Sequence, residues 1–167
     1  MDVLGGFAVT AGPEVDARAK TFKDAGDDYQ AILVAALGDR LAEAAAEFLH
    51  HQVRKSWYMP KEKLSHQDLL DEKYQGVRPA LGYPACPDHS EKEILWSLLE
   101  VEKETGMKLT ESFAMLPASS VSGLYFWRPE SQYFNLGKIT EEQLDDYSLR
   151  KGTSPQKISR WIQTHLL

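Results

Sequence analysis

At Gly106 the hydrophobic pattern of this chain changes period. From Asp27 to about Arg54, Leu33, Leu37, Leu41, Ala45, Phe48 and Leu49 recur at steps of three and four, which predicts one long helix. Its opposite face carries Asp39, Glu43, Glu47, His50 and Arg54. A shorter helix is expected near Ser65 to Glu72. Another opens at Ser90 with Glu93, or at Asp88 with Glu91, both capping-box pairs. Ile94, Leu95, Leu98 and Val101 form its apolar face, and Gly106 is a natural C-terminal cap. Beyond Gly106 the chain alternates: "MKLTESFAM" places Leu109, Phe113 and Met115 on one face. "SVSGLYFW" and "SQYFNLG" follow, separated by the turn signals "LPASS" and "RPES". Three short strands in that order predict an antiparallel meander. Helix returns at Thr140 with Gln143, and again at Ser154 before Pro155. Near the amino end "GFAVTAG" reads as a short buried strand. The expectation is a single α+β domain over residues 1–167, an antiparallel β-meander packed with helices.

Such a chain can hold a real core, since 43% of its 167 residues are hydrophobic. A domain of this size buries roughly 70% of its unfolded surface. A formal charge of −6 argues against general affinity for nucleic acid or anionic lipid. The basic pairs Arg54-Lys55 and Arg150-Lys151 read as ordinary helix ends. No apolar run approaches the ~18 residues of a membrane span. Asp2 stands where a signal peptide needs positive charge. A single cysteine, Cys86, fits a reducing compartment, so a soluble cytoplasmic protein is expected.

Several chemistries lack parts. There is no glycine-rich phosphate loop, and Cys86 with His89 falls short of a zinc ligand set. Iron–sulfur binding needs more cysteines. Glu47 and His50, three apart on a helix, have no matching pair elsewhere, so they read as a solvated helix face. Cys86 could be a nucleophile with only His89 near it in sequence, but a structural thiol is the better reading.

What remains is the stretch "RPALGYPACPDHSEKEILW", Arg78 to Trp96. Pro79, Pro84 and Pro87 stiffen it, and Gly82 lets another group approach its backbone. On its own it reads equally as a packed connection or a binding loop. Arg78 offers a planar fork for a carboxylate. The backbone from Ala80 to Tyr83 can present polar groups to a planar heterocycle, and Glu43 can meet a cation unless it is simply a solvent-exposed charge. Tyr133 starts a strand after a turn, where an aromatic is more often core than contact.

"RPALGYPACPDHSEK" closely resembles the signature of the reactivation domain of cobalamin-dependent methionine synthases. "DDYQAILVAALGDRLAEAAAEFLH", "LLEVEKETGMKLTESFAMLPASSVSGLYF" and "SQYF" before "NLGK" extend the resemblance over almost the whole chain, weakest from Ser56 to Gln67. The resemblance implies S-adenosylmethionine as ligand. It implies that Arg78 takes the methionine carboxylate, that the backbone at Ala80, Gly82 and Tyr83 lies against the nucleoside, and that Glu43 and Tyr133 also contact the ligand. Phe134 falls where some relatives carry tyrosine, so a hydroxyl contact is lost there.

It further implies reductive methylation: the sulfonium methyl goes to cobalamin held by a neighbouring cobalamin-binding domain, with an electron from a flavodoxin-like reductase. There is no Asp-x-His-x-x-Gly cobalamin motif here, and no cysteine set for zinc, which belongs elsewhere in the full enzyme. The family's domain is longer, and its upstream half carries a further acidic ligand-binding residue. The chain is therefore expected to be the carboxyl-terminal part of that domain, or a free-standing piece of it. Two other readings compete: a non-catalytic module that docks the cobalamin domain or flavodoxin, and an enzyme methylating another acceptor.

Overall fold

The computed structural model describes residues 4–162 and 165–167, so the reading of the amino terminus through Asp2 lies outside the described residues. Its longest element starts where the periodicity predicts. The Asp27 side chain accepts a hydrogen bond from the Gln30 backbone N–H at 3.0 Å, and helix α2 then runs over Asp28–Trp57. Thirty residues make it about 45 Å long.

The buried face of α2 is not the predicted one. Gly38, Ala42, Ala46, His50 and Arg54, spaced by four, are the buried positions. Leu37, Leu41 and Phe48 of the expected apolar face are 60%, 59% and 65% exposed. The reason is steric. Strand β1 (Gly5–Thr10), its partner further along the chain and helix α1 (Pro13–Asp24) all pack on α2, and small side chains let their backbones come close. A Cβ on Gly38 would collide with Val15 of α1. Helix α1 itself carries the proline and early carboxylates of a helix start, Pro13, Glu14 and Asp16, yet no sequence expectation covered it. The expected solvated face is corrected in the same way: His50 and Arg54 are fully buried, so Arg54 is no ordinary helix end.

Helix α3 (His66–Leu70) has a complete capping box from Ser65 and Asp68. Neither expected capping box forms at helix α4 (Glu91–Leu98): its N-cap is Ser90, which makes no side-chain cap bond because its hydroxyl and its N–H both donate to Asp88, at 2.7 Å and 2.8 Å. Glu100, in the left-handed conformation, then breaks the predicted helix, and a separate turn, α5 (Val101–Thr105), ends at Gly106. Leu95 and Val101 are buried with Leu81, Trp96 and Met107, whereas Ile94 and Leu98 face outward.

The α+β class and its small antiparallel sheets agree with expectation, but the meander does not. "MKLTESFAM" is a tight hairpin, not one strand: β2 (Lys108–Leu109) pairs with β3 (Met115–Leu116). The Thr110 hydroxyl accepts from the Ala114 N–H at 3.0 Å, and Phe113 takes the left-handed conformation that closes the turn. The next strand, β4 (Ser120–Tyr125), pairs with β1 from Gly5 opposite Tyr125 to Thr10 opposite Ser120. "SQYFNLG" forms no strand; the Leu136 N–H instead donates to the Pro84 carbonyl at 3.1 Å.

Helices α6 (Glu141–Lys151), with the Thr140/Gln143 capping box, and α7 (Pro155–Trp161) follow. Lys151 and Tyr147 of α6 both bond Asp88 at 2.7 Å, which ties the proline loop to the carboxyl-terminal helices. Among the described residues no helix is long and apolar enough to cross a membrane.

Candidate functional site

The proline loop is stiffened twice over, by its prolines and by the sheet edge. The Val77 N–H donates to the Phe126 carbonyl at 2.8 Å, and the Leu124 N–H to the Pro79 carbonyl at 3.0 Å. Residues 77–80 thereby run alongside the end of β4 as an irregular third strand. The Gly82 N–H donates to the Cys86 carbonyl and the Cys86 N–H to the Tyr83 carbonyl, each at 2.8 Å, which folds "GYPAC" into a closed turn. Gly82 has a positive φ of 94°, and a Cβ there would collide with the His89 ring.

Beside this loop lies a cavity of about 580 Å³, within the range of small-ligand sites. Glu43, Arg78, Ala80, Tyr83 and Tyr133 all line it. The remaining sequence candidates lie apart. Gly82 sits behind the lining against His89, with its amide already committed, and Phe134 is 57% exposed outside the lining. Glu43 is the one carboxylate among the described lining residues, against the cations Arg78 and Lys92. The Tyr133 hydroxyl accepts from the Arg78 backbone N–H at 3.0 Å, which brings the irregular segment after β4 over the loop.

Arg78 is held with care. Its Nη1 donates to Glu47 Oε2 at 2.6 Å and to the Tyr74 hydroxyl at 2.7 Å. Burial works against its charge, but Tyr74 and Glu47 outweigh that and raise its pKa further. Below it, the Arg54 guanidinium stacks on the Tyr74 ring, 3.8 Å from the centroid, and its Nε donates to both Glu62 oxygens at 3.1 Å. His50 lies between Tyr125 and Tyr74, with ring centroids 5.1 Å away in each case. Burial, with Arg54 and Arg78 nearby, lowers the His50 pKa to about 3, so its ring is neutral and adds no charge beside the two guanidiniums.

The sequence reading did not include Lys92, His89, Phe113 or Met115 among the lining residues. Lys92 is only 5% exposed, and its ammonium lies 2.9 Å from His89 Nδ1. Burial lowers the pKa of both groups. Lysine on the capping turn of a helix carries no sequence signal for such a position. Glu47 was assigned to solvent for a related reason: its partner Arg78 is 31 residues away. Cys86 lines a different cavity, with Tyr147 and Ile162, and burial together with Glu91 and Asp88 raises its thiol pKa. Among the described residues no group of three or more His, Cys, Asp or Glu could hold a metal.

A sequence model of the family described as vitamin B12 dependent methionine synthase, activation domain, matches residues 1–152. A solved structure described as the crystal structure of the MetH reactivation domain bound to AdoHcy is 56% identical. It superposes with a TM-score of 0.94 and covers 98% of this chain and 51% of its own, so the chain spans about half the length of that relative. With the match extending over most of its length, this chain belongs to the activation-domain family of vitamin B12-dependent methionine synthases.

Proposed function

We propose that the chain binds S-adenosylmethionine in the cavity beside the proline loop and presents its methyl group for reductive methylation of cobalamin. The observation that carries this is the joint placement of Arg78, Glu43, Ala80 and Tyr83 around one cavity, in a fold whose 56% identical relative is described as bound to AdoHcy. The residues fit the ligand group by group. Arg78 has Nη1 occupied by protein, which leaves the Nε/Nη2 edge of its fork for the amino-acid carboxylate. Glu43, exposed on α2, faces the ammonium. Ala80, on a backbone pinned to β4, and Tyr83, in the closed turn, flank the nucleoside, and Tyr133 covers the Arg78 end.

No side chain in this arrangement has to move a proton. Bound there, S-adenosylmethionine would supply a sulfonium methyl group for cobalamin carried by a neighbouring domain, with the electron coming from a flavodoxin-like reductase and S-adenosylhomocysteine as the product. The chain's contribution would be orientation: Arg78 and Glu43 would fix the ligand's two charged ends. No cobalamin-binding motif stands in this sequence, so that cofactor is carried by the neighbouring domain.

The test is reconstitution. The chain is mixed with a cobalamin-binding domain in the cob(II)alamin state, a chemical reductant and methyl-labelled S-adenosylmethionine. Label on cobalamin that depends on this chain and is lost with Arg78→Ala supports the proposal. Ligand binding without chain-dependent transfer would leave the docking-module reading in its place.

A further inference from the structure

Arg78 alone would be a flexible side chain of many rotamers, and a fork needs a fixed plane to take a carboxylate in two hydrogen bonds. Two side chains from different parts of the fold supply that plane. Glu47 of α2 accepts from Nη1 at 2.6 Å, and Tyr74, just before the proline loop, accepts from the same nitrogen at 2.7 Å. The Tyr74 hydroxyl in turn donates to Glu47 Oε2 at 3.2 Å, so the three groups close a ring of hydrogen bonds. The ring is shielded from water: the Arg78 side chain is 15% exposed and that of Glu47 24%.

The anchor is itself anchored. The Tyr74 ring is fixed by the Arg54 guanidinium on one face and by the His50 edge, and Arg54 is locked by Glu62. Glu47 also lies 3.8 Å from Arg54 Nη1, between the two guanidiniums. Each link is short-range, but the chain of links runs from the core of α2 to the mouth of the cavity. Among the described residues, the hydrogen bonds to the Arg78 guanidinium converge on Nη1, which is the nitrogen that a side-on carboxylate does not use.

We propose that Glu47 and Tyr74 are positioning residues for ligand recognition, holding the Arg78 fork with its Nε/Nη2 edge turned toward the ligand's carboxylate. This inference rests on the reading that Arg78 receives that carboxylate. Neither residue touches the ligand; both act through Arg78. Tyr74 is the cleaner probe, because Tyr74→Phe deletes only the hydroxyl and keeps the ring under Arg54.

The experiment is equilibrium binding of two nucleosides, S-adenosylhomocysteine and the carboxylate-free 5′-methylthioadenosine, to the parent, Tyr74→Phe, Glu47→Gln and Arg78→Ala, with thermal unfolding of each. Tyr74→Phe and Glu47→Gln should weaken S-adenosylhomocysteine about five- to fifty-fold, in line with losing one hydrogen bond to a charged group, while methylthioadenosine binds within about two-fold of the parent. Tyr74→Phe in the Arg78→Ala background should have no further effect, because the fork it orients is gone. If Arg78→Ala weakens S-adenosylhomocysteine but Tyr74→Phe and Glu47→Gln bind like the parent, the positioning inference is wrong and the carboxylate assignment stands. If both ligands weaken equally in Tyr74→Phe, its role is structural and the inference again fails. If Arg78→Ala binds like the parent, the carboxylate assignment itself falls, and the inference with it.

Discussion

Glu62→Gln should unfold this protein far more readily than a typical surface change. Arg54 is fully buried, and its Nε donates to both Glu62 oxygens at 3.1 Å; the Glu62 side chain is only 4% exposed. The nearest other carboxylate, Glu47, is 3.8 Å from Nη1 and already engaged by Arg78 at 2.6 Å. Nη1 of Arg54 has no hydrogen-bond partner among the described residues and Nη2 meets only His51 Nδ1, at 3.4 Å, so the reserve contacts are weak. Stripping one member from a buried pair leaves an uncompensated charge, at a cost of about 3–5 kcal/mol. Glutamine retains one acceptor, which sets the expectation at the lower end, about 3 kcal/mol. For a chain of this size that lowers the unfolding midpoint by roughly 6–12 °C. The assay is urea and thermal unfolding followed by circular dichroism. Arg54→Met with Glu62→Leu, which removes both charges, should be less destabilised than Glu62→Gln alone. A loss under about 1 kcal/mol for Glu62→Gln would match a solvent-screened pair and refute the reasoning.

His50 predicts a pH dependence whose sign follows from its lowered pKa: between pH 6.5 and about 3 the unfolded chain takes up a proton that native His50 refuses. Stability should therefore fall on acidification, by at most about 1.4 kcal/mol per pH unit from this group, with His89 acting in the same sense. His50→Phe should flatten that slope; an unchanged slope would mean that native His50 takes up its proton as readily as in the unfolded chain. Cys86→Ser should keep ligand binding within a few-fold, since the thiol lies outside the lining of the ligand cavity, and complete loss of binding with the fold intact would reveal a role for it. The exposed stripe Leu33, Leu37, Leu41 and Phe48 on α2 should drive concentration-dependent self-association in sedimentation, relieved by Leu37→Glu with Leu41→Glu. A parent that stays monomeric at high concentration would show that the stripe is tolerated bare.

Local chemistry was legible in the sequence wherever one side chain serves its own neighbours. Thr140 begins a helix with the capping box its sequence foretells, helices start near Asp27 and Ser65 where the sequence places them, and Gly106 caps the turn α5. What escaped depends on distant partners. The stripe Gly38, Ala42, Ala46 on α2 is buried because β1 and β4 need close approach, and no hydrophobicity pattern ranks glycine and alanine above leucine. β4 pairs with β1, more than a hundred residues earlier, so period-two texture read as a meander mistook strand order. The cavity wall has the same character. Arg78 and the proline loop stand out in the sequence, whereas Glu47 looks like a solvated helix charge until the fold brings it beside Arg78, and Lys92 until the fold buries it.

The central claim is that Arg78 and its cavity recognise S-adenosylmethionine, and calorimetric titration of that ligand into the parent, Arg78→Ala and Arg78→Lys tests it most directly. The account predicts saturable one-site binding by the parent and a loss of about 1.5–3 kcal/mol in Arg78→Ala, roughly ten- to a hundred-fold in affinity, with the fold intact. Arg78→Lys should recover only part of it, because an ammonium cannot offer two parallel donors. Equal affinity in the parent and Arg78→Ala, or no binding by a folded parent, would contradict the account.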